Sequence, residues 1–175
     1  MNNQEIELEL TYLARKIPEE INGVTPKRIF DVMVPEGVKH PHLRLRQKGE
    51  KYEITKKHPV SEEDPSVQLE MTIPLEAREF EALAKSSGLS IVKDRYFVEI
   101  EGFPAEVDVF REKLAGLVLI DFEFETEEMK NKFRMPDVAL ADVTQEEFVA
   151  GGMLAGKSYE QIEGDLGRFN YKRLG

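Results

Sequence analysis

Residues 5–12 read Glu5-Ile6-Glu7-Leu8-Glu9-Leu10-Thr11-Tyr12, a strict alternation of polar and apolar side chains. Neighbouring side chains on an extended strand point to opposite faces, so Glu5, Glu7, Glu9 and Thr11 share one face and Ile6, Leu8, Leu10 and Tyr12 the other. The same period recurs along the chain. Arg44 and Arg46 alternate with Leu43 and Leu45. Glu53, Thr55 and Lys57 oppose Tyr52, Ile54 and Lys56, and Gln68, Glu70 and Thr72 oppose Val67, Leu69, Met71 and Ile73. Lys93 and Arg95 share a parity, and Glu106 and Asp108 stand against Val107 and Val109. The run 117–125 ends with Asp121, Glu123 and Glu125 facing away from Ile120, Phe122 and Phe124. With a further extended stretch near 27–34, this makes about eight strands.

Helical patterns interrupt the strands. Over 76–87, Ala77, Phe80, Leu83 and Ala84 fall on one face, and Gly88 is the expected stop. Thr144 to Glu147 and Ser158 to Gln161 have the spacing of capping boxes that open short C-terminal helices. The Pro-containing segments 35–41 and 59–65 read as loops, and Met135-Pro136 as a turn.

An antiparallel sheet of this size tends to close, because closure removes its edges. If the charged faces then point inward, basic residues such as Arg44, Arg46, Lys93 and Arg95 confront acidic ones such as Glu5, Glu7, Asp121 and Glu123. The apolar faces point outward and need helices to cover them. A charged lumen is costly unless it binds ions, and carboxylates mixed with Arg and Lys suit a divalent cation carrying a polyphosphate.

Composition narrows the function classes. The chain has 175 residues, with 24 Lys and Arg against 34 Asp and Glu, for a formal charge of −10. So acidic a protein is a poor binder of nucleic acid, whose phosphates demand a basic surface. The absence of cysteine excludes disulfides, zinc–thiolate sites and a cysteine nucleophile. Only His40, His42 and His58 could serve a histidine-based site; His40 and His42 share a loop with no third ligand. Gly151-Gly152 lacks the context of a phosphate loop. No stretch approaches the ~18 apolar residues of a membrane span. The expectation is a soluble, cytoplasmic protein with no nucleic-acid or membrane partner.

Six segments, taken in order, are similar to the motifs of one family. Glu5-Ile6-Glu7-Leu8-Glu9 resembles a first-strand Glu-x-Glu-x-Lys, Arg44-Leu45-Arg46 a paired-arginine motif, and Thr55-Lys56-Lys57 a Thr-x-Lys strand. Lys93-Asp94-Arg95 resembles Lys-x-Arg. EVDVFREKLAGLVLIDFEFE (106–125) and Asp142-Val143-Thr144, with Phe148 and Leu154-Ala155, resemble the remaining two. Together they resemble the CYTH domain, or triphosphate tunnel metalloenzymes, in its bacterial inorganic-triphosphatase-like branch.

The resemblance implies an α+β fold over 1–175: a closed eight-stranded antiparallel β-barrel with strands at about 4–126, covering helices, and a C-terminal helical element at about 127–168. It implies a metal-dependent hydrolase of a linear triphosphate, tripolyphosphate first, with nucleoside or thiamine triphosphate as other substrates. Arg44, Arg46, Lys57, Lys93 and Arg95 would hold phosphate. Glu5, Glu7, Glu70, Asp108, Asp121 and Glu123 would serve Mg²⁺ or Mn²⁺. Glu7 and Glu123 would handle the attacking water, in roles that could be exchanged. Glu9, placed with these catalytic residues, stands where the family has a lysine, so a binding tunnel of altered specificity or without turnover is the alternative; adenylyl cyclase is a further one. The expected partner is a small-molecule polyphosphate or nucleoside triphosphate, and the expected state monomer or homodimer.

Overall fold

The computed structural model describes the backbone of residues 4–39, 41, 43–61 and 64–175, and the side chains of all of these except 4, 5, 64 and 65. The histidine pair His40 and His42 and the side chain of Glu5 lie outside the described residues. The strands are β1 (Gln4–Ala14), β2 (Lys27–Val34), β3 (Leu43–Lys48), β4 (Lys51–Ser61), β5 (Asp64–Leu75), β6 (Ser90–Ile100), β7 (Phe103–Phe110), β8 (Val118–Phe124) and β9 (Ala139–Asp142). They form one sheet in the order β5-β4-β3-β2-β6-β7-β8-β1-β9, with an additional β5–β1 pairing. That pairing closes the first eight strands into an antiparallel barrel, as the alternating faces imply. β1 makes closure possible by changing partner along one edge. Gln4–Leu8 pair with β5, and Tyr12–Ala14 pair with β9, while β8 holds the opposite edge.

The alternation sorts the two faces as expected. Outward residues Tyr12, Val107, Ile120, Phe122 and Phe124 form a core with Phe133, which follows helix α2 (Glu127–Lys132). Phe30, Val32, Leu45, Tyr52 and Ile54 are covered by Phe80 of the earlier helix α1 (Ala77–Ala84). Ile6, Met71 and Ile73 stay uncovered on the outer face of β1 and β5. Toward one end the inward positions become apolar. Leu13, Met33, Ile91, Phe110 and Leu119 join a core with Leu154 of helix α3 (Gly151–Leu154) and Tyr159, Ile162 and Leu166 of helix α4 (Tyr159–Gly167). The C-terminal segment thus plugs the barrel below its charged zone. Tyr171 fastens it: its hydroxyl donates to the Gly116 carbonyl (2.9 Å) and accepts from Val118 N–H (2.8 Å). Gly116, at φ +102°, leaves room for Arg173, whose side chain a Cβ would meet at 2.2 Å.

Four local expectations are corrected. The segment 59–65 is not a loop throughout, because Pro59 to Ser61 continue β4 and Asp64 opens β5. Pro59 is tolerated because β3 stops pairing with β4 at Lys56, so its missing N–H faces no partner strand. α1 ends at Ala84, a turn before Gly88, where the Ser86 hydroxyl takes the Leu83 carbonyl at 2.6 Å. Thr144 does not cap a helix: its hydroxyl accepts Thr11 N–H across the chain (3.0 Å), and only a 3₁₀ turn, Glu147–Val149, follows. The C-terminal element also contains β9, whose four residues are too few to show a period. The capping box of Ser158 and Gln161 is present at α4.

Phe133 touches the rings of Phe122, Phe103, Phe124 and Tyr12 at centroid distances of 4.6 to 6.0 Å. Phe133→Ala is expected to cost about 3–5 kcal/mol, read as a lower urea midpoint with the barrel's circular dichroism retained below it.

Candidate functional site

The charged zone is built from inward positions of β1 to β8, and its ion pairs link neighbouring strands and cross the lumen. At its floor Asp31 and Arg46, directly opposite on β2 and β3, form a two-point pair at 2.7 and 2.8 Å. Burial alone would raise the Asp31 carboxyl, but the Arg46 guanidinium holds it down at about 2. Asp108 on β7 faces Arg95 on β6 and accepts two bonds from it, both 2.7 Å, while also accepting Lys93 at 2.5 Å. Against the burial that would raise it, these two cations depress the Asp108 carboxyl well below the usual range. Arg95 also contacts Glu106 and lies 3.8 Å from Asp121. One lumen face therefore holds Lys93 and Arg95 around a single deep carboxylate.

The opposite side is different. Lys57 on β4 reaches Glu7 at 2.7 Å and both oxygens of Glu9 at 3.0 Å. Glu9 is paired directly with Glu123 across β1 and β8. Like charges in such a position repel, and Glu123 has no ion pair among the described residues. Partial burial, with Glu106, Glu7 and Glu9, pushes the Glu123 carboxyl up to about 7. Asp121 accepts the Thr11 hydroxyl at 2.7 Å and is pushed up to about 6 by burial, Asp108 and Glu9. Arg44 is a poorly satisfied cation: among the described residues its nearest carboxylate oxygen, on Glu70, is 3.9 Å away, and its buried Nε has no hydrogen-bond partner. Burial and Arg46 lower the Arg44 pKa. A short chain from Thr55 to Thr72 (2.8 Å) to Glu70 (3.0 Å) lines the wall beside it.

The fold thus gathers Arg44, Arg46, Lys57, Lys93, Arg95, Glu7, Glu9, Glu70, Asp108, Asp121 and Glu123 on the inward strand positions. Several of them are already paired, Arg46 with Asp31, Asp108 with Lys93 and Arg95, and Lys57 with Glu7 and Glu9. Among the described residues no three acidic or histidine side chains stand close enough to hold a metal as they are. Sequence reasoning missed Asp31 and the contacts of Glu106 with Arg95. The signal for Asp31 was a lone carboxylate inside the apolar run Ile29–Val34. A separate cavity of about 470 Å³ lies outside the barrel wall, between α2, β1 and residues 142–146. Lys130 is buried there, donating to Ser66 at 2.7 Å.

No family model matches the chain. An inorganic triphosphatase of Nitrosomonas europaea is 28% identical over 145 residues, covering 80% of this chain and 90% of that protein. The crystal structure of the inorganic triphosphatase NE1496 superposes with a TM-score of 0.62 at 26% identity, covering 85% of this chain and 93% of that one. A Bacillus halodurans structure, proposed to be an adenylate cyclase, shares the fold alone, with a TM-score of 0.55 at 17% identity. No helix among the described residues is long and apolar enough to cross a membrane.

Glu123 keeps its proton to about pH 7 when folded, against an ordinary value of 4.5. The folded state then binds more protons across that window, so the stability present below pH 4.5 is lost as pH rises through 7. The melting temperatures of wild type and Glu123→Gln are expected to coincide near pH 4.5 and to separate by pH 8, with the variant higher.

Proposed function

We propose that this chain, a CYTH-type triphosphate tunnel domain, hydrolyses a linear triphosphate with the help of a divalent cation. Arg44 carries the reading: a buried guanidinium whose Nε lacks a partner and whose nearest carboxylate oxygen is 3.9 Å away, both among the described residues, is a cation poised for an anion. Lys57, Lys93 and Arg95 stand on the same inward faces. Such a mixture suits a chain of phosphates, because Arg grips an oxygen pair and Lys acts as a point charge. The inorganic triphosphatase relative and its structure support the same substrate class.

The donor set also fits a hard cation. Glu123 has no ion pair among the described residues and is crowded by Glu106, Glu7 and Glu9, and such oxygen ligands suit Mg²⁺ or Mn²⁺. Glu7 and Glu123, with Glu70 and Asp121 beside them, are the residues that would hold it. Bound there, the ion would neutralise charge on the reacting phosphate. Asp108 serves differently, by orienting Lys93 and Arg95.

The chain's own groups then account for the reaction. Arg44, Lys93 and Arg95 align the phosphates. A water oxygen attacks the terminal phosphorus as its bridging P–O bond breaks, releasing phosphate and diphosphate from tripolyphosphate. Glu123, inward on β8 opposite Glu9, or Glu7 in its place, accepts the water's proton. Phe97, exposed on an inward position of β6 beneath Lys27 (5.2 Å) and Lys48 (4.8 Å), favours a second reading. In it a nucleoside triphosphate places its base at this ring.

Phosphate release from tripolyphosphate, ATP and thiamine triphosphate, each with Mg²⁺ or Mn²⁺ and with EDTA, tests the proposal. Tripolyphosphate is expected to be the best substrate and EDTA to stop turnover. Glu123→Ala is expected to lower kcat by about 10²-fold or more without lowering the melting temperature at pH 8. Wild-type rates in that variant would remove Glu123 from the site.

A further inference from the structure

Lys57 does not bond the carboxylate nearest to it along the sheet. Its directly paired residue across β4 and β5 is Glu70, yet its ammonium passes that strand and bridges two carboxylates of β1. β1 is not a neighbour of β4, since β5 stands between them. The ammonium meets Glu9 through both carboxylate oxygens at 3.0 Å and Glu7 through one at 2.7 Å. Glu70 is left to accept the Thr72 hydroxyl and to lie 3.9 Å from Arg44.

The cause is an excess of negative charge on β1 and β8. Glu9 faces Glu123 in register, and Glu7 stands on the same inward face. Like charges directly opposite repel, and a cation drawn between them offsets the repulsion. Asp108 already occupies Lys93 and Arg95, Asp31 occupies Arg46, and Arg44 lies nearer Glu70, so among these cations it is Lys57 that bonds both Glu7 and Glu9.

We infer that Glu9 is a positioning residue: it draws the Lys57 ammonium past β5 and holds it on the side of the lumen where Glu9 faces Glu123, to meet the phosphate that the water attacks. By itself a carboxylate at this point would repel phosphate. Paired with Lys57, it fixes where a mobile four-carbon side chain delivers its charge. The inference rests on the hydrolase reading for its catalytic consequence, but the placement of Lys57 is a separate observable.

The test compares wild type, Glu9→Gln, Lys57→Gln, the double variant of these two, Glu9→Lys, and the swap Glu9→Lys with Lys57→Glu. Steady-state kinetics on tripolyphosphate with Mg²⁺ are joined by the side-chain ammonium ¹⁵N resonance of Lys57 in the metal-free protein. Misplacing one charged group by an ångström is expected to lower kcat in Glu9→Gln by about tenfold or more, with KM changed by less than about threefold. Because Glu9 acts through Lys57, adding Glu9→Gln to Lys57→Gln should change kcat by less than about twofold. The swap should recover part of the activity that Glu9→Lys alone loses. The Lys57 resonance should shift in Glu9→Gln. A kcat that holds or rises in Glu9→Gln, or losses that multiply in the double variant, would overturn the inference. A wild type with no triphosphatase activity would overturn the hydrolase reading instead. The Lys57 resonance would then decide the placement, and an unchanged one in Glu9→Gln would overturn it.

Discussion

Every charged group in the lumen owes its place to the double pairing of β1. One edge of this strand bonds β5 at its start and β9 at its end, while the other bonds β8. Without the β5 contact the sheet would be open, and Glu7, Glu9, Lys57 and Glu123 would lie on a wet surface where such charges interact weakly. Closure turns one face of the sheet inward, so groups distant along the sheet meet across a few ångströms. The same closure leaves the outward face of β6, β7, β8 and β1 to be buried under Phe133, and the outward face of β2 to β4 under Phe80. Site and core are two sides of one periodicity.

Within that lumen the charges are satisfied unevenly, and the unevenness separates support from chemistry. Asp31 with Arg46, and Asp108 with Lys93 and Arg95, are dense pairs whose carboxyls are held low by their partners. Removing one member of such a pair leaves a buried charge alone, so the carboxylates Asp31 and Asp108 are the frame that fixes the cations around them. Glu123 and Asp121 are the opposite case, with carboxyls raised toward neutrality by burial and by other carboxylates. Such groups cost stability at neutral pH, and perturbed carboxyls in a concave site are where proton transfer is expected. The barrel's stability and its chemistry therefore rest on different carboxylates.

The apolar plug explains why the charged zone stops where it does. Along the inward faces, Thr11 is followed by Leu13, Asp31 by Met33, Asp108 by Phe110 and Asp121 by Leu119. At each of these steps the strand leaves the lumen and enters the core shared with α3 and α4. The glycine and leucine of Gly116-Leu117 serve this end of the barrel. Gly116 gives space to Arg173 and bonds Tyr171, and Leu117 is fully buried. A motif that resembles a signature of function is here a seat for the C-terminal segment.

Much of this was legible in the chain alone. Covalent geometry alone sends alternate side chains of a strand to opposite faces, so the separation of Glu7, Glu9, Arg44, Arg46, Lys57, Lys93, Arg95, Asp108, Asp121 and Glu123 from the apolar residues followed from residue order, and a tendency to close from the number of strands; that the charged faces turn inward was there only a condition. Short or exceptional elements were not legible: β9 is too brief for a period, and Pro59 lies in a strand only because β3 has already ended beside it. Nor did residue order reveal which inward charges meet. That depends on register and on how the strands stagger around the closed barrel, which are properties of residues far apart in sequence. Only the tertiary structure therefore placed Asp31 under Arg46, gave Asp108 rather than Asp121 the close grip of Arg95, and carried Lys57 past Glu70 to Glu9.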